Sequence, residues 1–270
     1  MTSDGKSAAA EPETIKQCCA RLYESDLAKL LLGDSFHPGG VQLTERLGRI
    51  LELTPDSRVL DVAAGKGTSA IFLAERFGCE VLGIDYGRQN VEQANEAAAA
   101  KGLGGRVRFE RADAESLPSQ DASWDAVVCE CAFCTFPDKA AAAREFARVL
   151  RPEGRVGLSD LTRAQVLPKE LDSLLGWVAC IADAQPVDRY AGYLRAAGLV
   201  VEQVEPHDEA LAGMVHQVRM KLLGAEIMVG LRKLDLSGVD FTAAKQMAQS
   251  ALAAIQQGQL GYAIISGVKN

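Results

Sequence analysis

No stretch of about 18 uninterrupted apolar residues occurs in this chain, so no membrane-spanning helix is expected. The first twelve residues are small, polar and acidic, without the basic n-region and apolar h-region of a secretory signal, and read as a disordered tail. Basic residues are in deficit: 29 Lys and Arg stand against 36 Asp and Glu, a net charge of −7. A duplex-binding protein needs a basic patch to offset phosphate charge, so nucleic acid is not the expected partner. Histidine is scarce and scattered (His37, His207, His216), and no second Cys-x2-Cys or His pair accompanies the cysteines, so no metal site is expected. The Gly-x4-Gly-Lys-Ser/Thr spacing of a P-loop is missing as well. These absences leave a protein expected in the cytoplasm, where its seven cysteines (Cys18, Cys19, Cys79, Cys129, Cys131, Cys134, Cys180) stay mostly reduced. Reduced cysteines in that number are core fillers or ligands for something thiophilic.

What is present is a chain of 270 residues, 48% hydrophobic, enough for one large domain over residues 13–270 with a core that needs no disulfides. Apolar residues recur at helical spacing over 14–32 and 41–53, separated by a turn-rich loop at 34–40. Strand and helix patterns then alternate: strands over 58–63, 80–84, 107–111, 124–129 and 155–159, helices over 68–77, 89–101 and 139–150. Such alternation predicts an α/β three-layer sandwich, a mostly parallel sheet covered by helices on both faces. Further on, helices are expected over 169–184, 187–197, 209–233 and 241–257, and strands over 199–204 and 262–268.

The exit of the first strand reads Val59-Leu60-Asp61-Val62-Ala63-Ala64-Gly65-Lys66-Gly67. Glycines there let the backbone turn sharply and approach a ligand, and the helix from Thr68 aims its first amides at that ligand. By itself such a loop is also compatible with a plain structural turn. Asp85 ends the second strand, 18 positions after Gly67 and followed by Tyr86, where an acid can accept both hydroxyls of a ribose. Asp113, Ala114 and Glu115 follow the third strand, where a carboxylate can accept from the exocyclic amine of adenine. Each acid alone reads equally as a solvated loop carboxylate. Three at successive strand ends mark the crevice where open α/β sheets bind ligands.

On these residues the chain resembles the class I S-adenosylmethionine-dependent methyltransferases over roughly residues 40–205. The first family motif is similar to Val59–Gly67, with Ala63 where a glycine usually stands; the ribose acid falls on Asp85 and the adenine-side acid on Asp113. The turn Leu150-Arg151-Pro152-Glu153-Gly154 is similar to the family's Leu-x-Pro-Gly-Gly, with Glu153 for a glycine. The resemblance implies S-adenosylmethionine as cofactor, bound by Asp61, Ala63, Ala64, Gly65, Gly67, Asp85, Tyr86, Asp113, Ala114, Glu115 and Glu130. A dehydrogenase would more typically keep all three glycines of Gly-x-Gly-x-x-Gly, and Ala63 and Thr68 take the first and third places, so NAD is the weaker expectation. The resemblance further implies a seven-stranded Rossmann-like sheet whose last strand is antiparallel. About 57 residues, 205–261, intervene where the family has a short turn, and this helical insertion is expected to be a lid over the substrate or a homodimer surface.

In the resembled family the exit of strand four faces the transferred methyl; here it reads Cys129-Glu130-Cys131-Ala132-Phe133-Cys134-Thr135-Phe136. Cys129 fits core packing, whereas Cys131 and Cys134 lie past the strand and are less well explained that way. A soft electrophile held by thiolates is the sharper reading. The stretch 130–160 with Trp177 and Cys180 is similar to the arsenite methyltransferases, in which a cysteine in a Trp-x-x-Cys context binds trivalent arsenic, a place matched by Cys180. Asp34 stands where that family has an earlier cysteine, with Cys18 and Cys19 as alternatives, and no cysteine follows Cys180. The acceptor is therefore expected to be a small molecule, either a metalloid such as arsenite or an organic metabolite, with Cys131, Cys180 and His37 as candidate catalytic residues. A cofactor-binding protein without catalysis is the alternative.

Overall fold

A computed structural model of the chain describes residues 16–17, 37–164, 183–231, 236 and 240–270. Its seven strands, β1 (Arg58–Val62), β2 (Glu80–Asp85), β3 (Val107–Arg111), β4 (Trp124–Glu130), β5 (Leu150–Arg163), β6 (Leu199–Pro206) and β7 (Leu260–Lys269), form one sheet in the order β3-β2-β1-β4-β5-β7-β6. All pairings are parallel except those of β7, which runs antiparallel to both β5 and β6. The flanking helices are α1 (Gly40–Ile50), α2 (Thr68–Phe77), α3 (Arg88–Ala100), α4 (Lys139–Val149), α5 (Val187–Ala196), α6 (Asp208–Gly230) and α7 (Phe241–Gln256). This is the expected α/β architecture with its antiparallel last strand. The helices expected over 14–32 and 169–184 fall almost wholly outside the described residues; Asp183 already lies in a turn.

The strand sequences follow from their place in the sheet. β1 and β4 sit at its centre, covered on both faces, and their inner residues (Val59–Val62, Ala126–Cys129) are buried without alternation. β6 lies at the edge and alternates, with Val200, Glu202 and Val204 exposed. Two helix starts carry their own caps: Asp138 accepts from the Ala141 amide at 2.8 Å and Asp240 from the Ala243 amide at 2.9 Å.

β5 departs from the expectation of a short strand at 155–159 preceded by a turn. Leu150 already pairs with Trp124, with an irregularity before Ala126 meets Arg155, so Leu150–Gly154 is a bulge within the strand. Glu153 occupies the left-handed region there, with φ 66°. At its other end β5 runs on to Arg163 because β7 supplies an antiparallel partner as far as Leu260.

The insertion between β6 and β7 is helical, as expected. α6 and α7 pack against each other and carry a Glu226–Lys245 ion pair at 2.7 Å. Its entry is tied to β7 by the His207 amide donating to the Tyr262 carbonyl at 2.7 Å and by Asp208 accepting from the Tyr262 amide at 2.9 Å. Behind the exit of β4, the fully buried Phe133 ring meets Phe136, Phe146 and Tyr190 at centroid distances of 5.7, 5.9 and 5.8 Å. These edge-on and tilted contacts pin the short 3-10 turn Phe133–Thr135 onto the core and so fix one wall of the site.

Candidate active site

The loop between β1 and α2 is wound from left-handed residues: Ala63 at φ 61°, Gly65 at φ 54° and Gly67 at φ 80°. Each glycine is required for a different reason. A Cβ on Gly67 would lie 2.4 Å from the Phe109 ring, which fills the space under the loop. A Cβ on Gly65 would meet nothing within 4 Å, because this glycine faces the open pocket. Ala63 holds the same left-handed turn with a methyl, at the strain that L residues carry there. The loop beyond it is closed by backbone hydrogen bonds, the Ala64 amide donating to the Ile84 carbonyl at 2.9 Å and the Gly67 amide to the Ala64 carbonyl at 2.9 Å.

Asp85 locks this loop to the end of β2. Its Oδ2 accepts from the Gly65 amide at 2.8 Å, and its Oδ1 from the Gly87 amide at 2.8 Å and from Asn90 at 3.1 Å. The carboxylate is thus oriented before any ligand arrives. Arg111, at the end of β3, donates to the Tyr86 carbonyl at 3.1 Å and stands 5.5 Å from its ring centroid, which steadies Tyr86 against the pocket. On the far side Asp113 accepts from the Glu115 amide at 2.9 Å, in a tight turn closed by the Ser116 amide on the Asp113 carbonyl at 3.1 Å.

The floor of the pocket is acidic. Asp61 is buried at the end of β1, and its Oδ2 meets no hydrogen-bond donor among the described residues. Burial, then the charges of Glu130 and Asp85, push its pKa well above the ordinary carboxylate range. Glu130, at the end of β4, is held by hydroxyls: Thr44 donates to Oε2 at 3.0 Å and Ser159 to Oε1 at 3.2 Å. His37 stands behind it, with Nε2 3.7 Å from Glu130, 3.3 Å from Thr44 Oγ1 and 3.4 Å from Ser69 Oγ, and Nδ1 3.2 Å from the Pro38 carbonyl oxygen. Both ring nitrogens are therefore engaged with the protein itself. Tyr262 closes this buried network by donating to the Ser159 carbonyl and hydroxyl, each at 3.0 Å.

Most of the expected site residues line this one pocket: His37, Asp61, Ala63, Ala64, Gly65, Asp85, Tyr86, Asp113, Ala114, Glu130 and Cys131. Gly67 supports the loop from below, and Glu115 braces the Asp113 turn. Cys180, with Trp177, Cys18, Cys19 and Asp34, lies outside the described residues. The cysteines of the β4 exit separate: Cys129 and Cys134 are buried, and Cys131 is partly exposed at the pocket in a left-handed conformation, φ 52°. Burial raises the Cys129 thiol well above its ordinary pKa, the behaviour of a core filler. Cys134, which lies past the strand, is core as well, because the 3-10 turn carries it back under Phe133 and its amide onto Asp160 at 2.9 Å. No group of three or more His, Cys, Asp or Glu side chains suited to a metal occurs among the described residues.

Sequence reasoning passed over several contributors. Lys16, Asn90, Thr135 and Phe136 line the pocket, and Thr44, Ser69 and Ser159 support its floor. Asn90, five positions after Asp85, was within reach of pattern reading, since an amide early in the following helix can return to the acid. Lys16 was not, because its partners lie 97 and 99 positions away.

A deeply buried acid with an orphan oxygen, an acidic floor and open space over a left-handed glycine loop fit a cationic, nucleoside-bearing cofactor. A family described as a methyltransferase domain matches residues 59–154, from β1 into the bulge of β5. The chain is 33% identical over 196 residues to the 27-O-demethylrifamycin SV methyltransferase of Amycolatopsis mediterranei, covering 67% of this chain and 72% of that protein. It is 31% identical over 164 residues to an arsenite methyltransferase of Halobacterium salinarum, covering 58% of this chain and 41% of that protein. Among solved structures, the 4+2 cyclase SpnF matches with a TM-score of 0.78 at 22% identity over 97% of both chains, a likeness of fold alone. The protein belongs to the class I S-adenosylmethionine-dependent methyltransferases.

Proposed function

We propose that this methyltransferase acts on a small organic acceptor, with the cofactor held across the ends of β1, β2, β3 and β4 and the acceptor seated over Cys131, Ala132 and Phe136. The observation that carries the reading is the convergence of Asp61, Asp85, Asp113 and Glu130, from four separate strand ends, on one pocket. In this assignment Asp85 takes the ribose hydroxyls, Asp113 faces the adenine amine, and Asp61 with Glu130 offers acceptors to the positively charged amino-acid end. Tyr86 and Ala114 wall the base, and Ala63, Ala64 and Gly65 present backbone. When bound, S-adenosylmethionine supplies an electrophilic methyl on a cationic sulfur for in-line displacement by an acceptor's lone pair. The chain's task is then to orient the acceptor and exclude water, for which the β4 exit, backed by the Phe133 cluster, offers a rigid wall. His37 acts here by positioning Glu130 and the Thr44 hydroxyl, since both its ring nitrogens already have partners. The natural-product methyltransferase among the relatives favours an organic acceptor.

A metalloid acceptor is the second reading, favoured by the partly exposed Cys131 thiol in the pocket and by the relative named as an arsenite methyltransferase. One product screen by mass tests both: S-adenosylmethionine is incubated with the protein and with hydroxyl, thiol and amine acceptors or arsenite. A methylated organic product supports the first reading, and methylated arsenic replaces it with the second. Calorimetry with S-adenosylhomocysteine tests the site, since Asp85→Ala should abolish binding; retention of wild-type affinity in that variant refutes the assignment.

A further inference from the structure

Lys16 reaches the pocket from far outside the cofactor loops, yet it lines the same wall as Ala112, Asp113 and Ala114. Its ammonium donates to Asp113 Oδ2 at 2.7 Å and to Glu115 Oε2 at 2.6 Å. The second oxygen of each carboxylate is occupied too, Asp113 Oδ1 by the Glu115 amide at 2.9 Å and Glu115 Oε1 by the Asp138 amide at 2.7 Å. The Lys16 side chain is only 15% exposed. Burial opposes its charge, and the hydrogen bonds to the two carboxylates outweigh that opposition and raise its pKa. Two carboxylates sharing so small a space repel, and with no cation between them the pair is driven apart. The single ammonium bridges them, with one contact fixing each oxygen of Asp113.

We propose that Lys16 is a positioning and specificity residue for the purine of the cofactor: by holding the Asp113 carboxylate in place, it makes the pocket select a base with an exocyclic amine over one with a carbonyl in the same position. The inference rests on the proposed placement of Asp113 at the adenine side. An amine donates to the held carboxylate. A carbonyl presents a lone pair to it instead, and a carboxylate that cannot rotate cannot relieve the repulsion.

The test is the ratio of dissociation constants for S-adenosylhomocysteine and S-inosylhomocysteine, measured by calorimetry on the full chain. Wild type should prefer the adenine compound by at least about tenfold, as a site that accepts a hydrogen bond from the substrate's amine does even where it is only half-buried. Lys16→Met should shrink that preference to within about threefold, the carboxylate being free to turn, while Lys16→Arg should keep it within about twofold of wild type because the charged donor is retained. Lys16→Gln, which keeps a donor without the charge, gives the same loss if the methionine variant does not fold. A methionine or glutamine variant that keeps the wild-type ratio overturns the role of Lys16. A wild type that binds both compounds equally overturns instead the placement of Asp113 at the adenine side.

Discussion

Two glycines of one loop should fail in different ways when given the same methyl. Gly67 has φ 80°, and its added Cβ would stand 2.4 Å from Phe109 Cζ and 3.1 Å from Ala94 Cβ. Phe109 has little room to withdraw, because a Cβ built on Gly83 would meet the same ring at 2.3 Å. The left-handed backbone costs about 1–2 kcal/mol for an L residue. Forcing a methyl into a filled core adds about 1–3 kcal/mol, and the lower entropy of the unfolded alanine chain returns about 0.5–1 kcal/mol. Gly67→Ala should therefore lose about 1–4.5 kcal/mol of stability by these increments. Gly65, at φ 54°, has no neighbour within 4 Å of its added Cβ, so Gly65→Ala should lose only about 0–1.5 kcal/mol. Its methyl instead enters the space proposed for the cofactor and should weaken S-adenosylhomocysteine binding by about tenfold or more. Urea denaturation of the two apo proteins gives the first comparison and calorimetry of folded Gly65→Ala the second. A Gly67→Ala protein no less stable than Gly65→Ala, or a Gly65→Ala protein with wild-type affinity, would refute the reasoning.

Ala63→Gly and Glu153→Gly each relieve a left-handed residue, at φ 61° and 66°, and should stabilise the protein by about 0.5–1 kcal/mol, read as a higher urea midpoint at unchanged slope; a lower midpoint in both contradicts the strain. Asp61, raised by burial and then by Glu130 and Asp85, keeps its proton to higher pH than the unfolded chain, so its contribution to stability falls as pH rises above the unfolded carboxylate value of about 4. Asp61→Asn should accordingly gain on wild type between about pH 4 and 7, and an equal difference in stability at both pH values contradicts the coupling. Iodoacetamide should alkylate Cys131 in the native protein and spare Cys79, Cys129 and Cys134, mapped by peptide mass. Labelling of Cys134 at the rate of Cys131 would show that the turn behind Phe133 opens.

The sheet was legible because its signals are local. Central parallel strands announce themselves as short apolar runs, and β1 to β4 fall within a residue or two of the expected ranges. β5 was misjudged where the signal was not local. Pro152, Glu153 and Gly154 read as a turn, yet strand pairing with Trp124 on one side and the long antiparallel β7 on the other hold the whole stretch in the sheet. Propensity lost to partners that the sequence does not announce.

The same division runs through the site. That Asp61, Asp85 and Asp113 would meet at one pocket was readable because a parallel sheet brings its strand ends to one edge, so sequence order becomes spatial order without knowledge of the packing. Cys134 was misread because one turn past a strand end is enough to send a side chain back into the core, and only the Phe133 cluster decides that direction. Lys16, Thr44 and Ser159 come from three different parts of the chain and meet the pocket only through tertiary packing. The rim of the pocket at the ends of β1, β2 and β3 is thus built mainly by backbone turns with short-range signatures. The buried network of Glu130, His37 and Tyr262 under its floor is of the other kind, in which each side chain takes its meaning from neighbours distant in sequence. That asymmetry is physical: a turn at a strand end is set by a few adjacent residues, whereas a buried side-chain network has to be assembled by packing particular to one chain.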